Sequence, residues 1–192
     1  MRSLALIAAV VLLAGTAHAQ LLATGTFVVS GNDSRVEMFV RDNVGGFSAR
    51  AREVEGQATV RQTGERSFVA DLEVRVPARS ITTGFGPRDA QMHRETLQTE
   101  RFPAIVFVGS VTTDAARVLS TFPAVAHGRL TLRGTTRQVS VPVRITPLPD
   151  GFRGRGEFEI KMSDFGIPVP RFLFFVAEDA VKVTVDLLLR SP

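Results

Sequence analysis

The chain has 192 residues, a formal charge of +4 at pH 7, and no cysteine, tryptophan or tyrosine. That length suits one domain, with or without a targeting segment. The lack of cysteine excludes disulfides, thiolate metal sites, a cysteine nucleophile and lipid attachment through an N-terminal cysteine. Nearly all the positive charge is arginine; Lys161 and Lys182 are the two lysines. The arginines are spread along the chain (Arg41, Arg61, Arg75, Arg129, Arg144, Arg155) with no Tyr or Trp between them to stack bases, so no nucleic-acid partner is expected.

In chain order, residues 1–19 read as a secretion signal. Arg2 supplies the positive start, residues 4–13 an apolar stretch too short to span a bilayer, and Ala17-His18-Ala19 a cleavage site. The mature domain is then 20–192, exported as a soluble protein to the periplasm or the outside. Strands are expected at 22–30, 35–41 and 47–61. From Phe68 to Val76 apolar residues alternate with polar ones, the mark of a half-buried antiparallel strand. Residues 80–109 break this rhythm. Gly84 and Gly86 end a strand, Pro87 suits a first helical turn, and Asp89 meets the positive helix end. Phe102-Pro103 ends the short helix, and residues 104–112 form an apolar strand. Alternation returns at 129–133, 138–145, 157–162 and 181–189. Turns are expected at 31–34, 63–66, 133–136 and 149–151. Pro142 belongs at a bulge or a barrel edge.

Eight or nine strands, short turns and one helix indicate an all-β fold. The expected form is an eight-stranded antiparallel β-barrel, with the helix plugging or covering one end. An interior of this size is either filled by side chains or holds one ligand. Catalysis has no visible frame: there is no Gly-x-Ser-x-Gly elbow and no phosphate loop, and His93 and His127 stand in no metal-ligand spacing. The expectation is a non-enzymatic protein without metal or cofactor. The inward faces are aliphatic and Phe-rich, which suits an apolar ligand as well as a plain core. Burying a methylene is worth about 0.8 kcal/mol, so a long apolar tail of roughly twenty carbons could gain roughly 15 kcal/mol gross, before ordering costs. A charge-assisted hydrogen bond adds about 1.5–3 kcal/mol. A tail would set affinity, and a polar mouth orientation.

Four stretches carry a resemblance. Residues 80–84 (SITTG), Pro87-Arg88-Asp89-Ala90 and residues 101–107 (RFPAIVF) form the first. LTLRGTTRQV at 130–139, Ser163-Asp164-Phe165-Gly166 and DAVKV at 179–183 are the others. Together they resemble the YceI-like family of polyisoprenoid-binding proteins. The resemblance implies a lipocalin-like barrel whose apolar pore holds a long isoprenoid lipid, such as a polyprenyl phosphate or quinone. Phe39, Phe47, Phe102, Phe107, Phe158 and Phe165 are the candidate pore residues, and Arg41, Arg88 and Asp89 the candidate polar mouth. Where the family often carries an Arg-His pair, Asp42 here follows Arg41. Residues 167–176 (IPVPRFLFFV) depart from the family's glycine-rich pattern and read as a lid, a lip making transient membrane contact, or buried core. An alternative reading is a scaffold without lipid that binds a protein partner through Phe172, Leu173, Phe174 and Phe175. A homodimer is compatible with the pattern.

Overall fold

The computed structural model describes residues 24–64, 67–113, 120–172 and 175–192, with backbone alone at 171, 172 and 175. The proposed leader, part of the turn at 63–66 and the side chains of Phe172 to Phe175 therefore lie outside the described residues.

The described residues form twelve strands, eleven of which make the eight staves of one closed barrel. The strands are β1 (Gly25–Val29), β2 (Arg35–Asp42), β3 (Phe47–Ala51), β4 (Glu55–Gln62), β5 (Phe68–Pro77) and β6 (Ile81–Thr82). After them come β7 (Ala104–Thr113), β8 (Phe122–Leu132), β9 (Thr135–Leu148), β10 (Gly151–Lys161), β11 (Arg171–Phe172) and β12 (Phe175–Arg190). β11 pairs only with the start of β12. The sheet runs β1-β4-β5-β7-β8-β9-β10-β12, and β12 returns to β1 through Val28↔Arg190 and Val29↔Leu189. The other half of β12 pairs with β2, β2 with β3, and β3 with β6. β1 and β2 are thus one broken stave, as are β3 and β4, and β5 and β6. All pairings are antiparallel, and every stave is paired on both sides over part or all of its length.

The single strand expected at 47–61 is broken at residues 52–54, and the sequence supplies the reason. Phe47, Ala49 and Ala51 point inward on odd positions, whereas Ala58 and Val60 do so on even ones. An alternation of period two cannot change phase without a kink. The neighbouring staves change phase at the same level, through a 3-10 turn at Gly31–Asp33 and another at Ala78–Ser80. Buried serines lace this corner. Ser34 Oγ accepts the Leu188 amide at 3.0 Å, and the Arg52 amide donates to the Ser80 carbonyl at 3.1 Å.

Two strands start earlier than alternation indicates. β8 begins at Phe122 and β10 at Gly151, because Ala124, Gly128, Gly154 and Gly156 continue a face without adding apolar bulk. The β8–β9 turn is Arg133-Gly134, both with positive φ (49° and 74°), the tight hairpin geometry that matches strand twist. Pro142 lies where the β9–β10 ladder stops. That ladder runs from Gly151↔Leu148 to Gly156↔Val143, although both strands continue beyond it. A residue without an N–H cannot extend a ladder.

One end of the barrel, here the plug end, carries the helix α1 (Gly86–Gln91) and a π turn (Met92–Thr96). Pro87 occupies its first turn as expected. Met92 and Leu97 face the barrel interior. At the far end Phe27 and Phe152 meet edge to face, with ring centroids 4.9 Å apart at 76°, beside the buried Phe68. No helix among the described residues is long and apolar enough to cross a membrane.

Candidate functional site: an apolar cavity with one charge

The inward faces do not meet in the middle. They leave a cavity of about 330 Å³ inside the barrel, lined by residues from every stave and from the helical plug. Along β10 the lining runs from Phe152 to Ile160. Eight steps at about 3.3 Å make roughly 26 Å of strand, or about 20 Å along the axis at the usual barrel tilt. The space is long and narrow. Its walls are Val, Leu, Ile, Ala, Phe and Met, and the polar lining residues among those described are Arg88, Gln91, Thr96 and Thr113.

Three of the proposed pore residues line this space: Phe47, Phe107 and Phe158. The Phe107 ring reaches over the cross-strand pair Gly109↔Gly128. A Cβ at either glycine would fall 2.7 Å from its ring. The two glycines therefore let a large ring lie against the wall and leave the lumen open.

Three others do not line it, and each is a correction. Phe39 points outward from β2, 37% exposed, with its ring against Gly46. Its phase is that of Arg35, Glu37 and Arg41, while Val36, Met38 and Val40 face in. Phe102 packs on Gly134 with the Arg101 guanidinium 5.1 Å from its ring centre. Phe165 is 2% exposed and belongs to a core of Leu132, Met162 and Ile167. Phe102 and Phe165 both border a separate shallow cleft of about 210 Å³.

Parity on the strands reveals what the choice of phenylalanines missed. Phe68 shares the phase of Leu72, Val74 and Val76; Phe122 that of Ala126 and Leu130; Phe152 that of Phe158 and Ile160. All three line the cavity. So do Met38, Met92 and Met162, whose flexible side chains adapt to irregular apolar shapes.

The polar candidates separate into three roles. Arg88 is the one charged residue among the described lining residues. Its guanidinium sits 4.2 Å from the centre of the Phe47 ring and 5.7 Å from that of Phe85. No carboxylate among the described residues lies within ion-pair distance of it. An ion this close to an apolar space must reach water or a counter-charge, so the cavity meets polar surroundings at Arg88. Asp89, one residue on, is turned to structural use. Its carboxylate accepts hydrogen bonds from Thr82 Oγ1 (2.5 Å), the Thr83 amide (2.7 Å) and Thr83 Oγ1 (2.6 Å). Desolvation pushes its pKa up, but these hydrogen bonds, aided by His93, outweigh that and hold it below the ordinary value. Arg41 lies on the outer face beside Glu178, at 3.9 Å, away from the cavity. Asp42, in the place of the family's histidine, accepts the Val44 amide at 3.0 Å and shapes the β2–β3 turn.

Residues 167–176 are part of the plug end where they are described. Ile167 is buried, and Pro170 lines the cavity. His127 lies on the outer wall, its Nδ1 2.9 Å from Ser140 Oγ, far from His93 on the plug. Among the described residues no three His, Asp or Glu side chains gather as metal ligands.

The family model for the YceI-like domain matches residues 27–189. The chain belongs to the YceI-like family. No curated protein matches it by sequence. Among solved structures, BcnA of Burkholderia cenocepacia superposes on this YceI-like barrel with a TM-score of 0.68 at 16% identity, covering 82% of this chain and 96% of BcnA. A polyisoprenoid-binding domain from Saccharophagus degradans, implicated in plant cell wall breakdown, gives 0.68 at 13% identity, with 88% and 100% covered. The YceI protein of Campylobacter jejuni gives 0.58 at 15% identity, with 75% and 85% covered. At these identities the likeness establishes a common barrel. That barrel agrees with the family to which residues 27–189 belong.

Proposed function

We propose that the protein is an exported carrier that holds one long isoprenoid lipid, a polyprenyl phosphate or an isoprenoid quinone, with its tail in the barrel and its head at Arg88. The observation that carries this is the shape and polarity of the cavity: about 330 Å³, long, predominantly apolar and with one formal charge among the described lining residues. A space lined in this way gains from burying an apolar chain and, among the described lining residues, offers few polar partners along it. Export rests on the leader-like residues 1–19.

The first test is native mass spectrometry of the protein exported by cells and purified without detergent, followed by organic extraction. A bound mass with a ladder of isoprene units supports the reading. A protein that stays empty after incubation with excess polyprenyl phosphate and quinone refutes it. Phe107→Asp places a carboxylate mid-lumen. It is expected to abolish lipid retention while circular dichroism still reports a folded barrel. Arg88→Gln should weaken retention of a polyprenyl phosphate by roughly ten- to a hundredfold, the scale of one charge-assisted hydrogen bond. It should leave a quinone nearly unaffected, which identifies the preferred head group.

A further inference from the structure

The exposed large apolar side chains are unevenly placed. Val28, Phe39, Val108 and Val125 stand singly on the wall of the barrel. Val44 (61% exposed), Phe85 (55%) and Val176 (40%) all stand at the plug end. Three tips carry them: the β2–β3 turn, the residue before α1, and the first turn of β12. These tips adjoin one another. Asn43, beside Val44, donates its amide to the Val176 carbonyl (3.3 Å) and accepts the Val176 amide on its side chain (3.0 Å). Phe47, which follows the same turn, shares the Arg88 guanidinium with Phe85.

A lone exposed valine needs no explanation, but apolar tips gathered around the charged mouth of an apolar cavity do. From this geometry we infer that the plug end docks on a lipid bilayer. Val44, Phe85 and Val176 enter the interface, and Arg88 stands at the level of the lipid phosphates. The charge fits. Arg88 lacks a carboxylate partner among the described residues, and its guanidinium matches phosphate geometry. The inference deepens the carrier reading and rests on the same cavity, because an isoprenoid lipid reaches such a cavity from a membrane. It concerns other residues: none of the three tips lines the cavity. Shallow insertion of apolar side chains beside a cation is a reversible form of attachment, weaker than a spanning helix.

The test uses the chain's lack of tryptophan. Phe85→Trp and, as a control on the wall, Val108→Trp are mixed with phosphatidylcholine vesicles containing phosphatidylglycerol. The docked orientation predicts a blue shift, and quenching by brominated lipid, for Trp at 85 and neither for Trp at 108. Equal response at both positions, or none at 85, overturns the inference. A second variant, Val44→Ser/Phe85→Ser/Val176→Ser, should partition onto the same vesicles at least tenfold more weakly, since each lost apolar contact counts for about a factor of ten. It should fill its cavity normally when isoprenoid is delivered in ethanol. If it sediments with vesicles as the parent does, the inference fails. If the parent docks through position 85 but takes up no isoprenoid from ethanol, the docking surface stands and the carrier reading falls.

Discussion

The two ends of the barrel are built from the same alternating strands and put to opposite uses. At the far end, aromatic rings face one another: Phe27 against Phe152 edge to face, with Phe68 4% exposed beside them. At the plug end the closing element is a helix of six residues and one π turn, held by a carboxylate on two threonines and carrying a guanidinium over the lumen. The far end is sealed by burial, which is strong and without direction. The plug rests Met92 and Leu97 on the core and is oriented by a few directional polar contacts, which are individually weak.

Removing the aromatic seal should give the largest effect. Phe68→Ala is expected to cost about 3–5 kcal/mol, the range for an aromatic side chain deleted from a packed core. Urea unfolding reads it directly, and a loss below about 1 kcal/mol would mean that the far end is not the stable one. Gly128→Ala comes next. Its new Cβ meets the Val108 carbonyl at 2.5 Å and the Phe107 ring at 2.7 Å. The expected cost is about 1–3 kcal/mol, with lipid uptake reduced because the ring is pushed into the lumen. The plug should be more fragile to chemistry than to bulk. Asp89→Asn keeps the shape but loses the charge that its three hydrogen bonds serve. It should cost about 1–2 kcal/mol and speed lipid release more than it lowers stability.

Acid should separate the ends too. The Asp89 pKa is depressed in the folded state. Its contribution is therefore complete above the ordinary carboxylate value of about 3.9 and is lost as pH falls through the folded value. Release of lipid below about pH 4 should precede loss of the barrel's circular dichroism signal. Simultaneous loss of both would show that the plug and the barrel unfold as one unit. Phe47→Ala at the mouth should also be mild, changing stability by less than about 2 kcal/mol because that ring is only partly buried. Retention of lipid is its more sensitive readout.

Much of the barrel was legible because antiparallel strands write their faces into alternate residues. The break at residues 52–54 was legible in principle too: Ala51 and Ala58 demand opposite parity, and only a kink satisfies both. The same parity places Phe39 outside and Phe68, Phe122 and Phe152 inside. Choosing phenylalanines by their match to a family pattern, without counting phase along each strand, discarded that information. Phe102 and Phe165 were beyond such counting. They sit in turns, where no period exists, and their neighbours Gly134 and Leu132 are brought to them by the closure of the barrel. The part played by Asp89 was half visible. Its place in the first helical turn is a local matter, but its hold on Thr82 and Thr83 depends on how β6 runs into the plug.

Pro142 ends the β9–β10 ladder at Gly156↔Val143, while both strands run on toward the plug. The tube therefore has a seam. Elsewhere two staves part only when cross-strand hydrogen bonds break, one after another; along this stretch no ladder bond has to be broken. Local opening costs least where few such bonds hold the wall. The barrel is thus hinged rather than uniformly hooped. Amide protons on the facing edges of β9 and β10 near the plug should exchange with solvent well before those of β5 and β7, whose ladder is continuous from Phe68↔Thr113 to Pro77↔Ala104.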